Sequence, residues 1–186
     1  MTISTSAKVS IASNILALAA VGFAWWGPAF TPPFAYSTHK MLHILGVIMF
    51  GGNLIVGPLW VGFALAEPGR PNLAFAMRSL AQADIWLTTP GVQLSVWNGI
   101  CLAALVGGVR GQPWIVESIL LLLFTSVVSI TLVLYWQERM VARAIAGDEP
   151  GTYKAMIWWA VWGTAVGVPF SLIFYLMVTK SALGFG

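Results

Sequence analysis

Long apolar runs separated by short polar segments fill most of the chain. A helix needs about 20 mostly apolar residues to cross the hydrocarbon core of a membrane, which is roughly 30 Å thick. Five runs meet this requirement: residues 9–26, 41–65, 85–105, 113–136 and 155–178. The pattern therefore predicts an all-α fold. It is a polytopic membrane helix bundle with five transmembrane helices, forming a single transmembrane domain over residues 1–186.

The first apolar run has two interpretations. Lys8 stands before an apolar stretch, which is the order found in a cleaved signal peptide. However, the run ends in Trp25 and Trp26, followed by Pro28, and it lacks a small-residue cleavage site. Paired tryptophans are typical of the aromatic belt at a membrane interface. We therefore predict that this run is a retained membrane helix.

The composition supports a membrane protein and excludes several other classes. Apolar residues make up 59% of the chain and charged residues only 8%, against roughly a quarter in an average soluble domain. Cys101 is the single cysteine, which excludes an intrachain disulfide and a cysteine zinc cluster. The nine basic residues are scattered singly, so the sequence predicts no nucleic-acid partner.

The distribution of basic residues predicts the orientation, because Lys and Arg concentrate in cytoplasmic loops. With five crossings and a cytoplasmic N-terminus, six basic residues lie inside and three outside. The inner residues are Lys8, Arg70, Arg78, Arg139, Arg143 and Lys154, and the outer residues are Lys40, Arg110 and Lys180. We predict a multi-pass protein of the bacterial inner membrane, with the N-terminus cytoplasmic and the C-terminus outside.

Two segments between the spans have their own patterns. Residues 72–84 place Leu73, Met77 and Leu80 on one helical face, which predicts an amphipathic helix. This helix either lies at the inner interface or extends the third span. Residues 137–154 are the most charged stretch, and we interpret them as a solvated cytoplasmic connector. Within the spans, Asn53 and Asn98 are expected to form interhelical hydrogen bonds.

His39 and His43 are the only histidines, and their spacing of four places both imidazoles on one face of a helix. They can share one metal ion, although a typical zinc site has three or four protein ligands. One of them can instead serve as a single axial ligand of a haem. The structural alternative is that His39 lies among the headgroups and His43 hydrogen-bonds to a neighbouring helix.

Glu117 is the fifth residue of the fourth predicted span. In the predicted threading it enters the membrane from the same outer side as His43. A carboxylate at that depth can accept a hydrogen bond from an imidazole, so we predict Glu117 as a proton partner of His43. The alternative is a carboxylate that reaches towards water or Arg110.

Several short motifs resemble a bacterial family of predicted integral membrane proteins of unknown function. They are Lys-Met-Leu-His-Ile-Leu-Gly at residues 40–46, the Gly pair at 51–52, Pro-Gly at 90–91 with Gly99, Gln-Glu-Arg-Met at 137–140 and Leu-Met-Val-Thr-Lys at 176–180. The resemblance covers roughly residues 37–180. It implies a bundle of four membrane helices around the segment that begins at His43, with the first helix as an addition.

A histidine early in a helix, followed by paired small residues, is also distantly similar to two groups of small membrane bundles. These are the haem-type protoporphyrinogen oxidases and the copper-resistance D proteins. The first similarity implies a haem b bound by His43 and proton-coupled redox chemistry. The oxidases also have an intramembrane lysine on a later helix, whereas all four lysines of this chain lie at span ends.

Three functional hypotheses follow from the sequence, and whether the chain is an enzyme stays open. The first is an integral membrane subunit, accessory or cofactor-assisting, in a larger bioenergetic complex or an oligomer. Its partners are the lipid bilayer and other membrane subunits or further copies of the chain. The second is a small haem-linked redox enzyme that uses His43, with Glu117 as its proton partner. The third is a protein that handles copper or another metal through His39 and His43.

Overall fold

The computed structural model describes residues 4–70 and 72–184, and its regular elements there are all helical. Two π-helical segments, Asp84–Thr88 and Ser129–Val133, each join the α-helices before and after them without a break. The helices are α1 (Thr5–Trp26), α2 (Tyr36–Ala66), α3 (Leu73–Ala83), α4 (Thr89–Ala104), α5 (Pro113–Val128), α6 (Leu134–Ile145) and α7 (Glu149–Thr179).

Four helical segments of the described chain are long and apolar enough to cross a membrane. They are Thr5–Trp26, Tyr36–Ala66, Pro113–Ile145 and Glu149–Thr179. The prediction of five spans is therefore confirmed for four. The other predicted span, at residues 85–105, is helical as expected, but polar side chains such as Gln93 and Asn98 reduce its hydropathy.

Contacts between distant parts of the chain define two ends of the bundle. At the end where α1 begins, called the N end here, Ser4 hydrogen-bonds to Glu138. At the opposite end, called the C end, Arg110 donates a hydrogen bond to the Trp25 carbonyl group. Because α1 connects these two contacts, they lie at opposite ends of one helix.

The remaining loops join the same two ends. Arg70, after α2, forms an ion pair with Glu149 at the start of α7, with a nitrogen–oxygen distance of 3.0 Å. Lys180, after α7, lies 3.9 Å from the centre of the Trp114 ring at the start of α5. The polypeptide therefore runs along the bundle five times, with α3 and α4 as one continuous rod that packs against α1 and α2.

Helix α3 packs inside the protein at the N end. Its predicted apolar face is buried, since Leu73, Met77 and Leu80 are at most 7% exposed. These side chains form an apolar core with residues of α2, α6 and α7, including Met140 and Trp159. Of the two interpretations of this segment, the structure shows the helix that continues towards the third span.

The prediction of a solvated connector at residues 137–154 is wrong for its first part. Helix α6 continues to Ile145, and it buries Gln137, Met140 and Ala144 against neighbouring helices. The physical reason is that the charged residues between these positions occupy the opposite face of the helix, so the segment is amphipathic. Within residues 137–154, only the short turn between the end of α6 and the start of α7 is a connector.

Helices α2 and α4 approach each other closely at two glycines. A Cβ atom added to Gly46 would lie 2.6 Å from the Gly91 carbonyl oxygen and 2.6 Å from the Ser95 backbone nitrogen. A Cβ atom added to Gly91 would lie 2.7 Å from the backbone nitrogen of Phe50. Glycine is therefore required at both positions for the two backbones to meet. This contact holds the histidine face of α2 against α4.

Candidate functional site

His39 is buried between α2 and α4, and both of its ring nitrogens have partners. The backbone N–H of Phe34 donates to Nε2 at 3.3 Å, so the ring proton must be on Nδ1. Nδ1 lies 2.8 Å from Oδ1 of Asn98 and donates to it. The expected interhelical role of Asn98 is confirmed. A metal ion at His39 would have to displace one of these two hydrogen bonds.

His43 lies one turn further along α2 and has a different arrangement. Its Nδ1 is 2.7 Å from the carbonyl oxygen of Ser95, and a carbonyl group only accepts, so Nδ1 donates. Nε2 then has a free lone pair, and no described residue donates a hydrogen bond to it. The ring lies over Gly99, where a Cβ atom would be 3.2 Å from its Nδ1 and Cε1 atoms.

The structure gives the two histidines separate partners rather than a common centre. Among the described residues, no group of three or more His, Cys, Asp and Glu side chains is placed to hold a metal ion. Both histidines donate Nδ1–H to a carbonyl oxygen, as metal-ligating histidines usually do, but only His43 has an Nε2 atom that accepts no hydrogen bond from a described residue.

Glu117 is buried near the C end and anchors the C-terminal tail. Its Oε2 accepts a hydrogen bond from the Leu183 backbone N–H at 2.5 Å, and Oε1 accepts one from Gly184 at 2.8 Å. Lys180, directly after α7, is partly buried, and this burial, with the charge of Lys40, lowers the pKa of Lys180. The structure hydrogen-bonds His43 to Ser95 and Glu117 to the tail, and the pairing of Glu117 with His43 stays a prediction.

A second group of polar side chains surrounds Asp84. The Oδ1 atom of Asp84 accepts hydrogen bonds from Asn53 Nδ2 at 2.9 Å and from Thr88 Oγ1 at 3.1 Å. Its Oδ2 atom accepts one from Gln137 Nε2 at 2.6 Å. The donors come from α2, the π-helical segment and α6, so one carboxyl group connects three elements.

Two further hydrogen bonds complete this group, which we call the polar layer: Asn53, Asp84, Thr88, Gln137 and Trp159. Asn53 Nδ2 also donates to Thr88 Oγ1 at 2.8 Å, and Trp159 Nε1 donates to Gln137 Oε1 at 3.2 Å. The indole N–H is a donor only, so it fixes the orientation of the Gln137 amide. The polar layer thereby extends to α7, beside the apolar core of the N end.

No cation balances the charge of Asp84 within the described residues. The two ion pairs found there, Arg70–Glu149 and Arg143–Asp148, lie at the N end and do not include Asp84. The groups that donate to the Asp84 carboxyl are all neutral. Asp84 is also the first residue of a π-helical segment, a feature that occurs frequently at functional sites.

Comparison with known families identifies the chain at the family level. Residues 37–181 match the family described as predicted integral membrane protein, DUF2269. The chain belongs to the DUF2269 family. No curated protein and no solved structure matches the chain.

The resemblance found in the sequence is confirmed for this DUF2269 protein. The matched region includes both histidines, the polar layer and Glu117, whereas α1 precedes it. The prediction that the first helix is an addition to the family's region agrees with these limits.

Three residues of the polar layer in this DUF2269 protein were missed as site residues from the sequence: Asp84, Gln137 and Trp159. The sequence pattern places Asp84 at the end of an amphipathic segment and Gln137 at the start of a connector. The available signal is a carboxylate directly before an apolar run, since ionisable residues inside membrane helices are usually functional. Asn53, by contrast, was expected to form interhelical hydrogen bonds, and it does.

Proposed function

We propose that this protein is an integral membrane subunit of the bacterial inner membrane that crosses it five times. The crossing that hydropathy does not select is the rod formed by α3 and α4, which connects the two ends of the bundle. Its polar side chains are satisfied inside the protein, as where Gln93 Nε2 donates to the carbonyl oxygen and to Oγ of Ser13 at 2.8 and 2.7 Å. Interhelical hydrogen bonds of this kind allow a polar helix to reside in a membrane.

The proposed orientation has the N-terminus in the cytoplasm and the C-terminus outside. It follows from the positive-inside rule, because six of the nine basic residues belong to the N end and three to the C end. Two of the three basic residues of the C end contact aromatic rings. Arg110 lies over the ring of Trp25, and Lys180 lies over the ring of Trp114.

The function that we infer for this bundle is reversible proton binding at Asp84. The observation that carries it is a carboxyl group inside the helix bundle that neutral donors from three elements surround and no described cation balances. An ionised group in such a place costs several kcal/mol unless it is paired or hydrated. Uptake of one proton removes this cost, and loss of the proton restores the hydrogen bonds seen here.

Proton binding would change the hydrogen bond between Asp84 and Thr88. Because Trp159 holds Oε1 of Gln137, the amide presents its N–H to Oδ2 of Asp84. A protonated carboxyl group has one O–H donor and keeps acceptor capacity, so Oδ2 can still accept from Gln137 while the proton lies on Oδ1. Oδ1 then donates to Thr88 Oγ1, 3.1 Å away, and the Thr88 hydroxyl group changes from donor to acceptor in this contact.

Labelling with dicyclohexylcarbodiimide tests this proposal, because the reagent modifies protonated carboxyl groups in apolar surroundings. In native membranes we expect peptide mapping by mass spectrometry to find the label on Asp84, in an amount that falls as the pH rises. Asp84→Asn should remove that labelled peptide, and Asp148→Asn, at an exposed carboxylate, should leave it unchanged. Absence of label on Asp84 at every pH where the protein is folded would contradict the proposal.

We further propose that the protein acts as an accessory or cofactor-assisting subunit of a larger bioenergetic complex or as an oligomer. The helices expose large apolar side chains, among them Ile55 and Phe63 on α2 and Val178 on α7. Lipid or neighbouring membrane subunits must cover these side chains, since apolar patches of this kind are not stable in water.

A second candidate function is a small haem-linked redox protein, and the geometry of His43 favours it. The hydrogen bond from Nδ1 to the Ser95 carbonyl leaves Nε2 free, and Gly99 lets the ring lie close against α4. His43 would hold the iron of haem b, and the haem would supply electron transfer. For copper handling, His39 offers no free nitrogen in this arrangement.

An absorption spectrum of the protein purified from haem-replete cells tests the haem hypothesis. We expect a Soret band in the wild type and its loss in His43→Ala, because that variant removes the ligand. His39→Ala is the matched control on the same helix face and should keep the band. A colourless wild-type protein would contradict this hypothesis and would leave proton binding at Asp84 unaffected.

A further inference from the structure

A groove at the N end lies between α6 and α7 and has a basic lining. Three of its side chains are basic, and all three are exposed. Its lining residues are Trp136, Arg139, Arg143, Gly151, Lys154 and Ala155. None of them belongs to the polar layer or to the histidine face of α2.

The groove has an excess of positive charge. Asp148 balances one cation, because it lies 2.7 Å from Arg143. The Gly151 backbone N–H and Arg143 lower the pKa of Asp148, so this carboxylate stays ionised. Arg139 and Lys154 form no ion pair with the described residues, which leaves two uncompensated positive charges.

Two further carboxylates of α6 and α7, those of Glu138 and Glu149, have partners outside the groove. Glu138 accepts a hydrogen bond from the Ser4 hydroxyl group at 2.7 Å. Glu149 pairs with Arg70 at 3.0 Å. An anion in the groove would therefore meet two free cations without a competing internal carboxylate.

One side of the groove is aromatic and continues onto the outer surface of the bundle. The Arg139 guanidinium lies 4.7 Å from the centre of the Tyr135 ring, and Trp136 stacks on Trp158 with ring centres 5.9 Å apart. Tyr135 and Trp158 are both exposed, as is Val161 one turn further along α7. A basic groove thus borders directly on an apolar, aromatic helix surface.

We propose that this groove binds the headgroup phosphate of an anionic phospholipid of the inner leaflet. Arg139 and Lys154 would hold the phosphate, and the acyl chains would lie along Tyr135, Trp158 and Val161. Basic pockets between membrane helices on the cytoplasmic side are suited to such headgroups. A lipid explains the aromatic border of the groove, which a free phosphate ion would not use. The inference rests on the proposed membrane embedding and orientation.

Lipid titration of the purified protein in mild detergent tests the proposal through thermal stability, since a ligand of the folded state raises the melting temperature. We expect phosphatidylglycerol to stabilise the wild type more than phosphatidylcholine does. In Arg139→Gln/Lys154→Gln, the concentration of phosphatidylglycerol needed for the same shift should rise roughly tenfold or more. Inorganic phosphate alone should give no shift.

The matched control is Lys8→Gln/Arg78→Gln, which removes two exposed basic residues of the N end outside the groove. It should keep the wild-type response to phosphatidylglycerol. An equal loss in both double variants would overturn the proposal in favour of a general charge effect. Stabilisation by inorganic phosphate, or no preference for phosphatidylglycerol, would also overturn it. Labelling of Asp84 does not depend on these residues, so the two proposals can fail separately.

Discussion

Gly46→Ala is expected to destabilise the protein by about 3 kcal/mol, the upper part of the usual range for over-packing. The added methyl group would meet the Gly91 carbonyl oxygen and the Ser95 backbone, both at 2.6 Å. These are backbone atoms of a packed helix and cannot rotate away, so α2 and α4 must separate. We expect thermal unfolding in detergent to show a melting temperature lower by roughly 10 °C.

The control for this experiment is Gly52→Ala on the same helix. A Cβ atom at Gly52 has no other atom within 4 Å, and alanine favours a helix over glycine by roughly 1 kcal/mol. Gly52→Ala should therefore leave the melting temperature unchanged or raise it. If both variants behaved alike, the close contact between α2 and α4 would not be a feature of the folded protein.

The helices could be predicted from the sequence because the lipid environment leaves the backbone few alternatives. Amide groups without water must hydrogen-bond within the segment, so each long apolar run becomes a helix. Hydropathy does not select α4 as a membrane span, for a physical reason. Gln93 and Asn98 face neighbouring helices and are satisfied there, but a scale that reads composition counts them as unfavourable.

The surroundings of an amphipathic segment are less predictable from sequence than those of a long apolar run. The spacing of Leu73, Met77 and Leu80 predicts a helix with one apolar face, but it does not say what that face contacts. Such an apolar face can pack against a membrane surface or against a protein core. The structure shows a protein core, in which Met77 and Met140 are almost fully buried.

The candidate site could be predicted only as far as local spacing reaches. His39 and His43 share a face because four residues are about one helical turn. Their partners on α4 required the packing of two helices. The same is true of Asp84, whose partners Asn53 and Gln137 lie 31 and 53 residues away in the chain. Spacing along one helix carries no information about such contacts.

The number of membrane crossings decides where Asp84 and the basic groove lie relative to the membrane. It also decides whether the two chain termini lie on the same side of the membrane or on opposite sides. Five crossings place the termini on opposite sides of the membrane, whereas the four segments selected by hydropathy would place them on the same side. The contacts of Ser4 at the N end and of Lys180 at the C end favour five.

The most direct measurement is therefore a pair of reporter fusions on the full chain in bacterial cells. A fluorescent protein that folds in the cytoplasm and an alkaline phosphatase that is active only outside are each attached to either terminus. Five crossings predict fluorescence from the N-terminal fusion, phosphatase activity from the C-terminal fusion and no signal from the exchanged pair. The same reporter active at both termini would contradict five crossings and, with them, the proposed membrane position of Asp84.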